Sequence, residues 1–247
     1  MKIAIAQIEP VKGDIEQNLD HHLKFIAVSL EKKADLIMFP ELSLTGYEPD
    51  LARELATTSY DGRLTPLQEM SDKNNIIIAV GLPTINGNDL FISMIVFQPG
   101  KERITYSKQY LYPTGKEVFT AGNTSCVIPF DKDHIIAPAI CYELSNDKHV
   151  DDAYQMGATI YMASVLNSVS GVDADIEKLV KIAVTYRMPV FMSNYIGESG
   201  GYKCAGKSSI WNPAGELTAQ LDGDTEGVLI YDTTVRSTDI VALRRKS

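Results

Sequence analysis

Short runs of consecutive apolar residues, each ended by a polar or turn-forming residue, alternate along the chain with longer stretches in which apolar positions recur every three or four residues. The short runs fit buried β-strands, and the periodic stretches fit helices with one face turned to a core. Lys2 to Ile8 is β-branched and predicts a strand, while Asn18 to Lys33, with Leu19, Leu23, Phe25, Ile26 and Leu30 among charged neighbours, predicts a helix. Asp35 to Glu41 reads as a second short strand, stopped by Pro40 and ending on a carboxylate. Leu51 to Thr58 and Thr65 to Lys73 read as helices, the latter with Pro66 in its first turn. Strands then resume at Asn75 to Leu82, Leu90 to Gln98 and Arg103 to Lys108, with Pro99-Gly100 as a turn.

Val127 to Phe130 and His134 to Cys141 predict a further strand pair, with Cys141 at a strand end. His149 to Met156 is a helix closed by Gly157, followed by a strand from Thr159 to Val165, a helix from Ile176 to Arg187 and a strand from Pro189 to Asn194. Gly197 to Gly206 is a glycine-rich loop. Ser208 to Asn212, Leu217 to Gln220 and Gly227 to Asp232 make a hairpin-rich end, and the tail from about Ser237 is expected to fray or to pack on a partner. Strands interleaved with helices, without a linker or a repeat, predict one α/β domain over residues 1–247 with two sheets and helices on their outer faces.

Composition narrows the partners. The 247 residues carry 23 basic and 32 acidic side chains, a formal net charge of −9, which excludes a function whose affinity comes from neutralising nucleic-acid phosphates. The longest apolar stretches, Ile76 to Leu82 and Ile135 to Cys141, fall far short of the roughly 20 residues of a membrane helix. Met1 to Ile8 ends at Glu9 with no small-residue cleavage site, so the expected location is the cytoplasm. Three cysteines, Cys126, Cys141 and Cys204, with no Cys-x-x-Cys pair, disfavour both a disulfide framework and a structural zinc.

The candidate chemistry sits at three strand ends, where Glu41, Lys108 and Cys141 each follow a β-branched or aromatic run. A thiol attacks a carbonyl or nitrile carbon as thiolate, so a lysine that favours that form and a glutamate that moves the proton make a workable set without a metal or cofactor. Taken singly, each has an ordinary reading: a small buried cysteine, a turn-capping glutamate, a solvated lysine. The remaining candidates are weaker. His21, His22, His134 and His149 lack ligand spacing and read as solvated, so no metal site is expected. Gly197 to Gly201 does not open a helix as a phosphate loop would, Arg244-Arg245-Lys246 reads as a solvated basic tip, and Cys126 and Cys204 read as inert, with exposure left open for Cys204 by its glycine-rich surroundings.

Five segments resemble the nitrilase superfamily of carbon–nitrogen hydrolases. Phe39-Pro40-Glu41-Leu42-Ser43-Leu44-Thr45-Gly46-Tyr47 is similar to its glutamate motif, Tyr106-Ser107-Lys108-Gln109-Tyr110-Leu111 to its lysine motif and Ala139-Ile140-Cys141-Tyr142-Glu143 to its cysteine motif. Ile5-Ala6-Gln7 and Gly206 to Gly215 resemble further family elements. The resemblance implies a four-layer αββα sandwich and protomers that associate through a helical layer as a homodimer or higher homo-oligomer. It implies Cys141 as nucleophile, Glu41 as general base and acid, and Lys108 with the Tyr142 N–H as the oxyanion site, acting on a small-molecule amide through a thioester. The implied activity is an amidase, with N-carbamoyl amine or amino-acid hydrolysis as the alternative, and nitrile hydrolysis or a silent binding subunit behind it.

Two departures accompany the resemblance. The second glutamate expected soon after the lysine is assigned to Glu117, although Gly115 is the rival for that place and Glu117 has an alternative partner in Lys116. The helix before Pro189 reads Ala183-Val184-Thr185-Tyr186-Arg187, without the usual carboxylate. By analogy the segment Val165-Leu166-Asn167-Ser168 is expected to line the substrate pocket, together with Tyr47 and Tyr142.

Overall fold

The computed structural model describes residues 1–243; Arg244-Arg245-Lys246, read above as a basic tip, lie outside the described residues. The chain runs β1 (Lys2–Gln7), α1 (Ile15–Glu31), β2 (Leu36–Met38), α2 (Ala52–Leu55), α3 (Thr65–Asn74), β3 (Ile77–Asn86), β4 (Asp89–Phe97) and β5 (Ile104–Ser107). It continues through β6 (Ile128–Pro129), β7 (Ile135–Ile140), α4 (Asp147–Gln155), β8 (Ile160–Ser164), α5 (Val172–Tyr186) and β9 (Val190–Ser193). It closes with the small hairpin β10 (Glu198–Ser199) and β11 (Tyr202–Lys203), then β12 (Ser209–Trp211), β13 (Leu217–Gln220), β14 (Glu226–Asp232) and β15 (Ser237–Leu243).

One sheet has the order β15-β14-β1-β2-β3-β4-β5 and the other β13-β12-β9-β8-β7-β6. Strand side chains alternate between faces, and here the alternation separates three cores. Ile3, Ile5, Leu36 and Met38 meet Ile136, Ile160, Met162 and Phe191 of the opposite sheet. Their neighbours Ala4, Ala6, Ile37 and Ile78 face outward onto Leu19, Phe25 and Ile26 of α1 and Leu67 of α3. Ala137, Ala139, Tyr161, Ala163 and Val190 face Val150 of α4 and Leu179, Ile182 and Ala183 of α5. Every central strand is therefore apolar on both faces, which accounts for the unbroken apolar runs in the sequence. The result is the αββα layering.

The register decides where chemistry is gathered. β1, β2 and β3 are parallel, and two antiparallel steps, β3 to β4 and β4 to β5, return β5 to the direction of β3. β7, β8 and β9 are likewise parallel. The segments that follow β2, β5, β7 and β8 thus emerge from the carboxyl ends of their sheets, the edge at which open α/β sheets build sites.

Several elements differ from the sequence reading. α1 starts at Ile15 because the Asp14 carboxylate accepts the Gln17 N–H at 2.9 Å as an N-cap. Leu51 to Thr58 yields only the four-residue α2, β3 runs on past Pro83 to Asn86, and the glycine-rich loop contains β10 and β11. The described part of the tail, Ser237–Leu243, does not fray but pairs with β14 along its length as the edge strand β15. His22 is buried, contrary to the solvated reading, and Cys204, whose exposure the sequence left open, is buried as well.

Gly81 of β3 marks the closest approach in the glutamate region. A Cβ there would lie 2.3 Å from the Leu42 nitrogen and 2.9 Å from its Cα, both main-chain atoms without room to move. Gly81→Ala is expected to cost about 3 kcal/mol, the upper range for an overpacked site, and Gly62→Ala, whose Cβ meets nothing within 4 Å, under about 0.5 kcal/mol. Urea unfolding of the two variants checks this.

Candidate active site

Glu41 stands on the turn that leaves β2, and that turn is held on every side. Leu42 adopts a left-handed φ of +53°. Ser43 Oγ accepts the Gly81 N–H at 3.1 Å and meets His22 Nε2 at 2.9 Å, while His22 Nδ1 lies 2.6 Å from the Asn18 carbonyl oxygen. His22 also stacks on Phe39, with centroids 4.0 Å apart. Burial pushes His22 down to about 3, so it is a neutral structural strut between α1 and the glutamate turn. From the other sheet, Tyr195 donates to the Glu41 carbonyl at 2.5 Å and Ser164 to the Phe39 carbonyl at 2.9 Å. The glutamate turn is thus anchored to both sheets.

Lys108 directly follows β5. Its N–H donates to the Ile92 carbonyl at 2.8 Å, and its own carbonyl accepts the Gly122 N–H at 2.8 Å. A Cβ on Gly122 would lie 2.2 Å from the Ser107 carbonyl oxygen, so only glycine lets the returning loop press on the lysine strand. Cys141 begins a 3-10 turn after β7 at a left-handed φ of +46°. That conformation is strained for a residue with a side chain and persists because the surroundings hold it. The Tyr142 N–H, at the start of the same turn, makes no hydrogen bond among the described residues. It is a free donor beside the thiol.

Lys108 Nζ donates to Glu41 Oε1 at 2.6 Å, and both side chains are at most 2% exposed. Burial alone would lower the lysine pKa, but the Glu41 and Cys141 charges and the Glu41 hydrogen bond together hold it above the ordinary value. The thiol moves the other way: burial pushes Cys141 up to about 12, Glu41 adding to the rise and Lys108 opposing it. At neutral pH the arrangement is an ion pair beside a neutral thiol, so a base must remove the thiol proton at the moment of attack. Cys141 Sγ meanwhile lies 3.6 Å from the Leu166 carbonyl oxygen.

The three side chains share a half-open cavity of about 330 Å³. Tyr47, Tyr112, Tyr142 and Tyr202 place their rings around it, Leu166, Asn167 and Ser168 follow β8 along one wall, and α5 contributes Ala174, Asp175 and Lys178. Lys178 Nζ bonds Ser145 Oγ at 2.8 Å and Asp175 Oδ1 at 2.9 Å. The cavity walls therefore combine aromatic rings with a second ion pair, Lys178–Asp175, besides Lys108–Glu41.

A buried ion pair next to a thiol on a strained turn, reached from strand ends of two facing sheets, is an acyl-transfer arrangement. The sequence profile described as carbon–nitrogen hydrolase matches residues 2–241. The chain belongs to the carbon–nitrogen hydrolase family. Among relatives of this hydrolase, a protein named "Hydrolase in agr operon" from Staphylococcus aureus is 23% identical over 97% of this chain and 93% of its own length. A probable nitrilase of Schizosaccharomyces pombe is 24% identical over 98% of this chain and 91% of its own. The NitN amidase of Nesterenkonia sp. AN1 superposes with a TM-score of 0.85 at 24% identity, over 94% of this chain and 92% of that one. A variant of that amidase carries the acetamide moiety of fluoroacetamide on its active-site cysteine, with a TM-score of 0.85, 23% identity and coverage of 98% and 90%.

Against this geometry, Glu41, Lys108, Cys141, Tyr47, Tyr142 and Leu166 all line the cavity of the hydrolase. Two residues assigned from sequence do not. Glu117 is exposed at the end of the 3-10 turn Pro113–Glu117, and the buried residue of that turn is Gly115, whose missing Cβ points to within 3.7 Å of the Tyr47 hydroxyl. Val165 is fully buried among Leu144, Val172 and Leu179 on the α5 side, because it and Leu166 project to opposite faces. Sequence reasoning also passed over Glu143 and His149. Glu143 is wholly buried and accepts the Ile140 N–H at 2.7 Å and the Gln109 N–H at 2.6 Å. The cysteine motif contained it, and its carboxylate two residues after the thiol was the available signal. His149, read as solvated, is buried against Tyr106 and Tyr161. The altered end of α5 also has a partner, since the Tyr186 hydroxyl donates to Asp151 of α4.

A buried pair that loses one member leaves a desolvated charge, at a cost of about 3–5 kcal/mol. Lys108→Met is expected to destabilise the fold by that amount, and Glu41→Gln/Lys108→Met by clearly less than the two single changes summed. Guanidinium unfolding of the cycle checks this; strictly additive losses would mean that the two groups are not paired.

Proposed function

We propose that the protein hydrolyses the C–N bond of a small carboxamide through a thioester on Cys141, releasing ammonia or an amine and then a carboxylic acid. The observation that carries this is the Lys108–Glu41 pair at 2.6 Å in the same cavity as the thiol. Glu41 takes the Cys141 proton as Sγ attacks the amide carbonyl carbon, and the carbonyl π pair moves to oxygen. The oxyanion is met by the Lys108 ammonium and the free Tyr142 N–H, donors placed for charge that develops only in the transition state. Collapse of this intermediate breaks the C–N bond, and Glu41 hands its proton to the leaving nitrogen. Glu41 then takes a proton from water, the hydroxide adds to the thioester carbon, and the second collapse expels the sulfur, which recovers its proton as the acid departs.

The neutral resting thiol supports the general-base role, since a thiol held near 12 is inert until its proton is taken. The related amidase supports the amide reading of the substrate, because one variant of it is in complex with butyramide and others carry the acetamide moiety of fluoroacetamide or the Michael adduct of acrylamide on the active-site cysteine, amides delivered to that sulfur. The tyrosine-ringed cavity suits an acyl group larger than acetyl. The chain is expected to release ammonia from at least one of acetamide, butyramide, benzamide and N-carbamoyl-alanine. Acid-quenched protein is expected to carry the matching acyl mass on Cys141, and Cys141→Ala is expected to lose both signals. No ammonia and no adduct with any of these amides would overturn the reading.

A further inference from the structure

Glu143 has no place in the steps above, does not line the cavity and is fully buried. Both of its oxygens are taken by main-chain donors adjacent to the reacting groups. Oε1 accepts the N–H of Gln109, the residue after Lys108, at 2.6 Å, and Oε2 accepts the N–H of Ile140, the residue before Cys141, at 2.7 Å. Lys108 belongs to the first sheet and Cys141 to the second, so one carboxylate fastens the two sheets at the point where the site is assembled.

A third donor completes the clamp. The Tyr106 hydroxyl donates to Glu143 Oε1 at 2.8 Å, and His149 Nε2 lies 2.9 Å from the same hydroxyl. With its proton given to Glu143, the Tyr106 oxygen accepts from His149 Nε2–H. His149 Nδ1 is then an acceptor, and the Tyr161 hydroxyl, 3.1 Å away, donates to it. Burial holds His149 down to about 4, which keeps the ring neutral and the order of donors fixed. The chain of donors therefore runs one way, from β8 through α4 to β5 and into Glu143.

We propose that Glu143 is a positioning residue that fixes the Cys141 nucleophile relative to the Lys108 ammonium during both acyl-transfer steps. The inference rests on the thioester reading above. Short bonds from N–H groups to a carboxylate are strong and directional. The elbow at Cys141 is strained and needs such a restraint, and a misplacement of about 1 Å in a reacting group costs about 10²-fold in rate. A carboxylate accepts from all three donors, whereas a carboxyl group must give up one acceptor direction to its own proton.

Burial raises Glu143 to about 7, against the pull of the Ile140, Gln109 and Tyr106 donors and of Lys108. The other titratable groups around it are Cys141 on its own turn, His149 of α4, Tyr161 of β8, Tyr110 against His149 and Cys126 near Tyr106. The clamp is intact in the ionised form, so kcat is expected to fall as pH drops through about 7.

Glu143→Gln is expected to lower kcat for the best amide by about 10- to 100-fold with KM unchanged and the protein still folded by circular dichroism. Tyr106→Phe keeps the ring but removes one donor to the carboxylate, which raises its pKa and moves the acid limb of kcat to higher pH by about one unit. The same shift is expected in the rate at which iodoacetamide alkylates Cys141, a readout that needs no amide turnover. A kcat within threefold of wild type in Glu143→Gln, or a Tyr106→Phe profile that superimposes on wild type in both assays, would overturn the clamp. Should Glu143→Gln not fold, the Tyr106→Phe profile decides. Failure of the wild-type protein on every amide would count against the thioester reading alone, and the alkylation profile would still decide the clamp.

Discussion

A lysine ammonium and a glutamate carboxylate, 2.6 Å apart and almost without solvent, are the constraint around which this protein is built. Two charges removed from water are costly unless geometry and further polar contacts repay the desolvation. The fold supplies that geometry with two strand ends of one sheet, β2 and β5, separated only by β3 and β4. The glutamate turn is then locked by Gly81, His22 and Ser43 below it and by Tyr195 across the sandwich, and the lysine strand by Gly122. Small residues and buried polar side chains that look unremarkable in isolation are there because the pair tolerates little movement.

The pair in turn sets the state of the thiol. Because Lys108 is engaged with Glu41, Cys141 is left neutral in the cavity wall, its pKa pushed up first by burial and then by the carboxylate. This separates the site from those in which a cysteine rests as thiolate beside a cation. Reactivity is held back until a substrate displaces water and Glu41 can take the proton, while the ammonium stays charged to meet the oxyanion. The second sheet delivers the nucleophile on a strained turn, and its contact with the first sheet at this point passes through Glu143.

Much of this was legible in the sequence, and the reasons are local. Glu41, Lys108 and Cys141 stand out because each is a reactive side chain placed just after an apolar run that a buried strand requires. Strands interleaved with helices pointed to two sheets under outer helices, and the family resemblance implied the four-layer αββα arrangement. The misreadings concern direction, which the order of residues leaves open. Val165 and Leu166 differ only in the face to which they project, and Glu117 and Gly115 only in which one a 3-10 turn buries. His22 was read as solvated, yet it shares the buried stripe of α1 with Asn18, Phe25 and Ser29 because its neighbour is Ser43, 21 residues away. The α5 side chains in the cavity and the Glu143 clamp depend on tertiary placement that no local pattern encodes. β15 escaped notice because its first half, Ser237-Thr238-Asp239, is polar, and its short apolar run Ile240 to Leu243 lies exposed or half-exposed at the sheet edge.

The central claim is that the resting site is an ammonium–carboxylate pair beside a neutral thiol. The most direct measurement is the ultraviolet thiolate absorbance of wild-type protein minus that of Cys141→Ala, followed from pH 6 upward, so that tyrosines and the other two cysteines cancel. The account predicts no difference signal through neutral pH, with Cys141 beginning to ionise only well above the range of an ordinary cysteine, toward about 12. A full thiolate signal at pH 7 would mean that Lys108 is paired with the sulfur in place of Glu41, and would contradict it.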